Sequence, residues 1–345
     1  MTTLKNDNFL RACRREKTDH TPVWLMRQAG RYMKEYMALK EKYSFLEMCK
    51  NPEIACEVTM QPINAFELDA AIIFADILLP LEGMGIDFGF KKDHGPVIHN
   101  PVRTRADIDK VKVITPEEDV PYLLEAIKLV QNELNGKVPL IGFSGAPFTL
   151  ASYIIEGGGS RNYTFAKGIM YSDPKAWHKL METITEVVIV YLNAQIKAGV
   201  HAVQLFDSWV GCLGPNEYME FAFPYTKRII ESVDKSVPFI NFSTNTGTYL
   251  NLIKQAGGDV IGLDWKVNLD EGWATIGHDF AVQGNLDPTV LFSTKDEIKR
   301  RTKDVLDRAE GRNGHIFNLG HGIILGTPVD NVKYLIDTVH DLSQK

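Results

Sequence analysis

Short apolar, β-branched or aromatic runs recur along this chain, and segments of helical period separate them. The runs are PVWLM (22–26), AAIIFAD (70–76), PLIGFSG (139–145), AVQLFDS (202–208), PFINFST (238–244), VIGLDW (260–265), FAVQGNL (280–286) and HIFNLGH (315–321). Near-continuous apolar character marks strands buried on both faces, as in a parallel sheet. Between them, TYLNLIKQAGGD places Leu250, Ile253 and Ala256 on one face and stops at Gly257-Gly258. TKDEIKRRTKDVLDRAEGRNG starts at a Ser293/Thr294 cap and stops at Gly311, and PVDNVKYLIDTVHDL is amphipathic. Eight strand–helix alternations predict an α/β protein built as a single (β/α)8 TIM barrel. A doubly wound sheet is the alternative, but its Gly-rich first turn is missing.

The 345 residues suit one such barrel, and no Gly/Ser/Pro-rich linker or tandem repeat divides them, so one domain over 1–345 is expected. A net charge of −6 argues against broad electrostatic binding to nucleic acid or to an acidic membrane surface. An anionic ligand must therefore be held by a few placed cations. Cys13, Cys49, Cys56 and Cys212 form no C-x-x-C pair and read as reduced thiols. The opening MTTLKNDNFLRACRREKTDH has no apolar core of a signal peptide, and no run reaches the ~20 apolar residues of a membrane helix. A cytoplasmic protein is expected.

In a (β/α)8 barrel, chemistry sits at the C-terminal ends of the strands. Those positions here carry Arg27 and Arg31 after the first run, Asp76 after the second, and Tyr153 in the helix after the third. Phe206, Asp207 and Ser208 end the fourth, and His321 ends the eighth. Most have an ordinary reading. Asp76 serves equally as a cap on the next helix, Asp207 and Ser208 as helix caps, and His321 as hydrogen-bonded structure. Tyr153 fits the core with a satisfied hydroxyl. Arg27 with Arg31 is the exception, because two half-buried guanidiniums need anionic partners and the nearest local acid is Glu35. EGGGS (156–160) reads as a loop and lacks the G-K-[ST] ending of a phosphate loop.

Familiar chemistries drop out. There is no G-x-S-x-G elbow, no H-E-x-x-H, and no H-x-C pair near a strand end for a thiolate zinc site. GMGIDFG (83–89) has the wrong glycine spacing for a dinucleotide turn.

PVWLMRQAGRYM (22–33) and IGFSGAPFTLASYIIEGGG (141–159) resemble the two signature regions of the uroporphyrinogen decarboxylase family. DAAIIFADIL, QLFDSWVG, GLDW, QGNLDP and NLGHGI extend the resemblance over about residues 8 to 340. It implies a single (β/α)8 barrel, a homodimer with facing clefts, and removal of four acetate carboxyl groups from uroporphyrinogen III without metal, organic cofactor or covalent intermediate. Carried over position by position, Arg27 and Arg31 would bind substrate carboxylates, with Gln28, Ala29 and Gly30 lining the cleft and Gly30 allowing close backbone approach. Asp76 would face the pyrrole N–H groups as a carboxylate, nearby arginines opposing any rise of its pKa from burial. Tyr153, Ser208 and His321 would hold other carboxylates, Phe143 and Phe206 would pack on the macrocycle, and Arg27 is the favoured participant in proton delivery. A methyltransferase is the nearest rival, since relatives with that activity share the barrel, but Cys212 lacks the His-x-Cys partner of a zinc site. A non-catalytic tetrapyrrole carrier is the second.

Overall fold

The computed structural model describes residues 3–91 and 95–345. Nine strands occur among them: β1 (Ala71–Ile72), β2 (Phe88–Lys91), β3 (Gly95–Ile98), β4 (Leu140–Gly145), β5 (Ala202–Asp207), β6 (Phe239–Ser243), β7 (Val260–Gly262), β8 (Ala281–Gln283) and β9 (His315–Ile316). Seven make one parallel sheet in the order β1-β4-β5-β6-β7-β8-β9. Each neighbour follows the last in sequence, so the sheet winds in one direction and every crossover returns over the same side. The register Gly145↔Phe206 and Asp207↔Ser243 aligns the C-terminal ends of β4, β5 and β6. β2 and β3 form a separate antiparallel hairpin that the apolar pattern does not announce.

The expected strand at 22–26 is corrected: it makes only one ladder bridge, the parallel pair Val23↔Phe317. Side chains replace its other ladder bonds. The Val23 N–H donates to the Asp69 carboxylate at 2.7 Å, Leu25 N–H to Gln28 Oε1 at 3.1 Å, and Met26 N–H to Asn318 Oδ1 at 3.1 Å. The expected strand at 70–76 is likewise cut to Ala71–Ile72. Phe74 gives its N–H to the Thr59 hydroxyl at 2.9 Å instead of to a neighbouring strand.

Segment 22–26 nevertheless bonds to both edges of the sheet. Phe317 N–H donates to the Pro22 carbonyl at 2.8 Å beside β9, and Asp69 N–H donates to the Val23 carbonyl at 2.9 Å beside β1. Buried side chains confirm how far the sheet curls. Trp24 Nε1–H donates to Gln283 Oε1 at 3.0 Å, and Gln283 Nε2–H donates to Gln204 Oε1 at 3.1 Å. Residues of β8 and β5, three strands apart, therefore meet across the interior with Trp24. Around them pack Met26, Ile141, Ile240, Phe242 and Ile316. Phe9 and Ala12 of the short helix Asn8–Cys13 belong to the same cluster, so this helix closes the end where the strands begin.

The outer layer is helical. Leu250–Ala256 ends before Gly257, which sits at φ 103°, a left-handed conformation that favours glycine. Lys295–Arg308 starts where the Thr294 hydroxyl accepts Glu297 N–H, and Val329–Ser343 closes the chain. All three follow the apolar spacing. The wall is fastened beneath the sheet by Asp69, whose side chain is 1% exposed. His20 Nε2 and Asn6 Nδ2 each stand 2.8 Å from one of its oxygens, and His340 Nε2 stands 2.9 Å from the other, which Val23 N–H also meets.

Candidate active site

The chain changes character where each strand ends. After Met26 it turns, and Arg27 adopts φ 63°, a conformation that side-chain-bearing residues seldom take. The turn is fixed by Gln28, which is 1% exposed. Its Oε1 accepts Leu25 N–H, its Nε2–H donates to the Ala70 carbonyl at 3.1 Å, and its own carbonyl accepts the Tyr32 hydroxyl at 2.6 Å. Gln28 thus holds the arginine turn against β1 with its side chain turned inward, while Ala29 and Gly30 are half-buried at the surface of the turn.

Both guanidiniums reach solvent, contrary to the half-buried setting expected of them. Among the described residues neither Arg27 nor Arg31 pairs with a carboxylate, Glu35 included. The Arg27 stem runs over Gly322, where an added Cβ would lie 2.5 Å from Arg27 Cδ. Glycine at 322 therefore seats Arg27 beside His321. Close approach is not demanded at Gly30, where an added Cβ would meet only the Arg27 carbonyl, at 3.4 Å.

Asp76 is half-buried just beyond β1, and one of its oxygens accepts Leu78 N–H at 2.9 Å. Burial raises its pKa to about 6, and that hydrogen bond and the Arg27 charge only partly oppose the rise. Arg27 opposes the rise as expected, but burial outweighs it, because an exposed guanidinium is screened by water. Asp76 still stands mostly ionised at neutral pH.

Tyr153 lies close enough to feel Asp76 and Arg27, and burial lifts its hydroxyl pKa to about 12. It is not a satisfied core tyrosine: among the described residues its hydroxyl has no hydrogen-bond partner. Its ring packs on Trp209, with centroids 3.8 Å apart and planes tilted by 31°. Phe143 and Phe206 meet edge to face at 5.5 Å, and Phe206 meets Phe242 at 5.7 Å, giving an aromatic wall across β4, β5 and β6. Ser208 follows β5; its carbonyl accepts the Thr244 hydroxyl at 2.6 Å, which ties it to the end of β6.

His321 Nδ1 accepts Gly322 N–H at 2.8 Å, so Nε2 carries the proton of the neutral ring. Burial and then the Arg27 charge lower its pKa to about 4. Its ring sits edge-on to Trp265, at 6.4 Å.

The structure thus brings Arg27, Asp76, Tyr153 and His321 into one electrostatic neighbourhood, with Phe143, Phe206 and Ser208 at the adjoining strand ends. Arg31 stands farther along the turn, near enough that its charge partly opposes the burial-driven rise of the Tyr36 pKa. The apolar pattern assigned no role to Trp209 or Trp265, although both lie in quoted motifs, and it missed Thr149 beneath Tyr153. Free cations, one ionised carboxylate, neutral hydrogen-bond donors and aromatic faces can together receive a flexible polyanion with an apolar body. Among the described residues, the His/Asp group close enough to ligate a metal is His20, Asp69 and His340. It lies where the strands begin, and its carboxylate already meets four nitrogens.

A sequence profile described as uroporphyrinogen decarboxylase (URO-D) matches residues 4–342. A uroporphyrinogen decarboxylase of Carboxydothermus hydrogenoformans is 62% identical over 98% of this chain and 97% of its own length. One from Sorangium cellulosum is 56% identical over 98% and 97%. Among solved structures, a methyltransferase from Methanosarcina mazei superposes with a TM-score of 0.84 at 21% identity, covering 98% of this chain and 99% of that one. A B12-independent methionine synthase from Shewanella sp. gives 0.58 at 13%, covering 86% and 88%. Identities this low carry the fold alone.

Proposed function

The chain belongs to the uroporphyrinogen decarboxylase family, and from that premise we propose that it converts uroporphyrinogen III to coproporphyrinogen III with release of four CO2, in haem synthesis. The observation that carries the reading is full-length identity above half to enzymes of that name. The strand-end residues supply a chemistry that fits it. We read the sheet as a complete (β/α)8 barrel in one domain, because segment 22–26 bonds to both of its edges and Trp24 meets β8 and β5 inside. The active-site cleft then lies at the C-terminal strand ends.

The substrate carries eight carboxylates on a flexible ring of four pyrroles. Arg27 and Arg31 would bind carboxylates through planar, permanently charged forks. Neutral His321, with its proton on Nε2, would donate to another, as would the Tyr153 and Ser208 hydroxyls. Phe143 and Phe206 would offer faces to the macrocycle, and the Gln28–Gly30 turn would form the rim. Loss of CO2 from an acetate leaves an electron pair that needs a sink. Protonation of the adjoining pyrrole carbon creates one, a cationic ring. Asp76 would accept the ring N–H bonds and stabilise that charge, an effect typically worth about 3–4 kcal/mol for one well-placed group. The electron pair returns when the released methylene takes up a proton and the ring loses the one it gained. Each cycle thus consumes one proton and releases one CO2.

His321 near 4 is deprotonated at neutral pH, so a role as hydrogen-bond donor suits it better than a role as acid. Arg27 stays the favoured participant, acting on the carboxylate it holds. No metal or organic cofactor enters this scheme. Action as a homodimer in the cytoplasm belongs to the same reading, with Ile324 and Leu325 exposed just past His321 as an apolar rim.

The deciding experiment is anaerobic incubation with uroporphyrinogen III in the dark, with a metal chelator present. Products are then oxidised and separated by carboxylate number. Stepwise seven- to four-carboxylate products are expected. Unchanged substrate from a folded sample would remove the decarboxylase reading and favour the carrier. Turnover that the chelator abolishes would reopen a metal-dependent reading such as the methyltransferase alternative.

A further inference from the structure

Thr149 and Asp207 are buried, polar and unused by the chemistry above. Thr149 is fully buried on the helix Pro147–Glu156, and Asp207 is 4% exposed at the end of β5. The Thr149 hydroxyl donates to Asp207 Oδ1 at 2.7 Å and accepts Trp209 N–H at 3.2 Å. One hydroxyl therefore joins the helix to both sides of the Asp207–Ser208–Trp209 turn. Tyr153 stands four residues after Thr149, one helical turn on and on the same face. Its ring packs on the ring of that same Trp209.

Helix and turn are thus fastened twice, once through the hydroxyl and once through the packed rings. The carboxyl does not cap the helix that follows it: it takes the Thr149 hydroxyl, and the Thr149 backbone N–H as well, both from the first turn of an earlier helix. The carboxyl lies near enough to influence the Tyr163, Tyr218 and Tyr249 hydroxyls and the Cys212 thiol, and among the described residues no cation pairs with it. Burial raises its pKa to about 7, with the Thr149 bonds opposing. A carboxyl in so apolar a setting is costly to bury, which fits a group kept for placement rather than for stability.

We propose that Thr149 and Asp207 are positioning residues: through the Trp209 N–H they fix the turn that carries Ser208, and through the Trp209 ring they aim the Tyr153 hydroxyl at the substrate. Neither touches the substrate. This inference rests on Tyr153 serving the decarboxylation proposed above. Small displacements of an aligning group cost rate steeply, so the effect belongs in kcat.

The test compares Thr149→Val, which keeps the shape and removes the hydroxyl, with Thr149→Ser, which restores it, using uroporphyrinogen III as substrate. Thr149→Val is expected to lower kcat about 10- to 100-fold with little change in KM, and Thr149→Ser to recover most of the loss. Combined with Tyr153→Phe, Thr149→Val should cost clearly less than the product of the two single losses, because only the part that passes through Ser208 remains. A Thr149→Val enzyme with wild-type kcat, or losses that multiply in the double variant, would overturn the proposal. If Thr149→Val loses its cooperative melt, Thr149→Ala, which also removes the hydroxyl, takes its place under the same two criteria. Near-ultraviolet circular dichroism separates this inference from the functional reading. The signal of the Trp209–Tyr153 pair, defined by its loss in Trp209→Phe, should vanish in Thr149→Val and persist in Thr149→Ser, whether or not the wild type turns over that substrate. A retained signal in Thr149→Val sinks the coupling itself.

Discussion

Asp76 holds its charge against its surroundings. Burial pushes its pKa up to about 6, so the carboxylate that would face a cationic ring is lost as pH falls through that value. A folded enzyme should therefore show kcat/KM declining on the acid side of about 6. His321, lowered to about 4, cannot supply that limb. Asp76→Asn keeps the shape, can still accept Leu78 N–H through its amide oxygen, and removes the charge. The expected result is an unchanged melting temperature and a loss of about 100-fold or more in kcat, in line with single groups worth about 3–4 kcal/mol. Near-wild-type turnover in this variant takes Asp76 out of the mechanism.

At the scale of elements, Asp69 ties three pieces of chain that are far apart in sequence: the His20 segment, the entry to β1, and the C-terminal helix through His340. Burial raises the Asp69 pKa, but the hydrogen bonds from His20 and His340 prevail and hold it at about 2. The same bond to Asp69 raises the pKa of His20 above its ordinary 6.5, with burial opposing. The signs follow by linkage. The Asp69 contribution is present above the ordinary carboxylate value of 3.8 and is lost as pH falls from there through about 2. The His20 contribution is full below 6.5 and is lost as pH rises through the higher folded value. Stability from this clasp should peak between roughly pH 4 and 6.5. Asp69→Asn should cost about 3–5 kcal/mol, the usual range for breaking a buried charged network, and should flatten that pH dependence. Urea melts of the two proteins at pH 5 and pH 8 measure both. Equal losses at the two pH values would show that the histidines contribute nothing through their charge.

For the molecule as a whole, a net charge of −6 repels a polyanion, and in the proposed reading attraction would depend on Arg27 and Arg31 at the strand ends. Both are exposed and unpaired among the described residues, so salt screens them strongly. KM for the porphyrinogen should rise severalfold between ~0.05 and ~0.5 M salt, with kcat nearly constant, and Arg31→Gln should weaken that dependence. A KM indifferent to salt would mean that the carboxylates are held by neutral donors. In the proposed reading binding and chemistry would separate because the arginines lie in solvent, whereas Asp76 is partly desolvated.

The eight apolar runs, the parallel sheet and the residues at its strand ends were legible in the chain, since burial on both faces and helical spacing are one-dimensional patterns. So was the family, through motifs spread over nearly all of it. Three things were not. Segment 22–26 reads as a regular strand, yet Asp69, Gln28 and Asn318 take its N–H groups; such replacements depend on residues distant in sequence. The exposure of Arg27 and the dominance of burial over its charge at Asp76 depend on solvent access, which spacing does not encode. The joint of Thr149 with Asp207 and Trp209 links residues about sixty positions apart, and neither motif alone hints at it. Local pattern determines which residues reach the strand ends, because backbone periodicity is local. Only the tertiary packing decides which of them meet and which stay wet, because hydrogen-bond partners and desolvation are properties of neighbours in space.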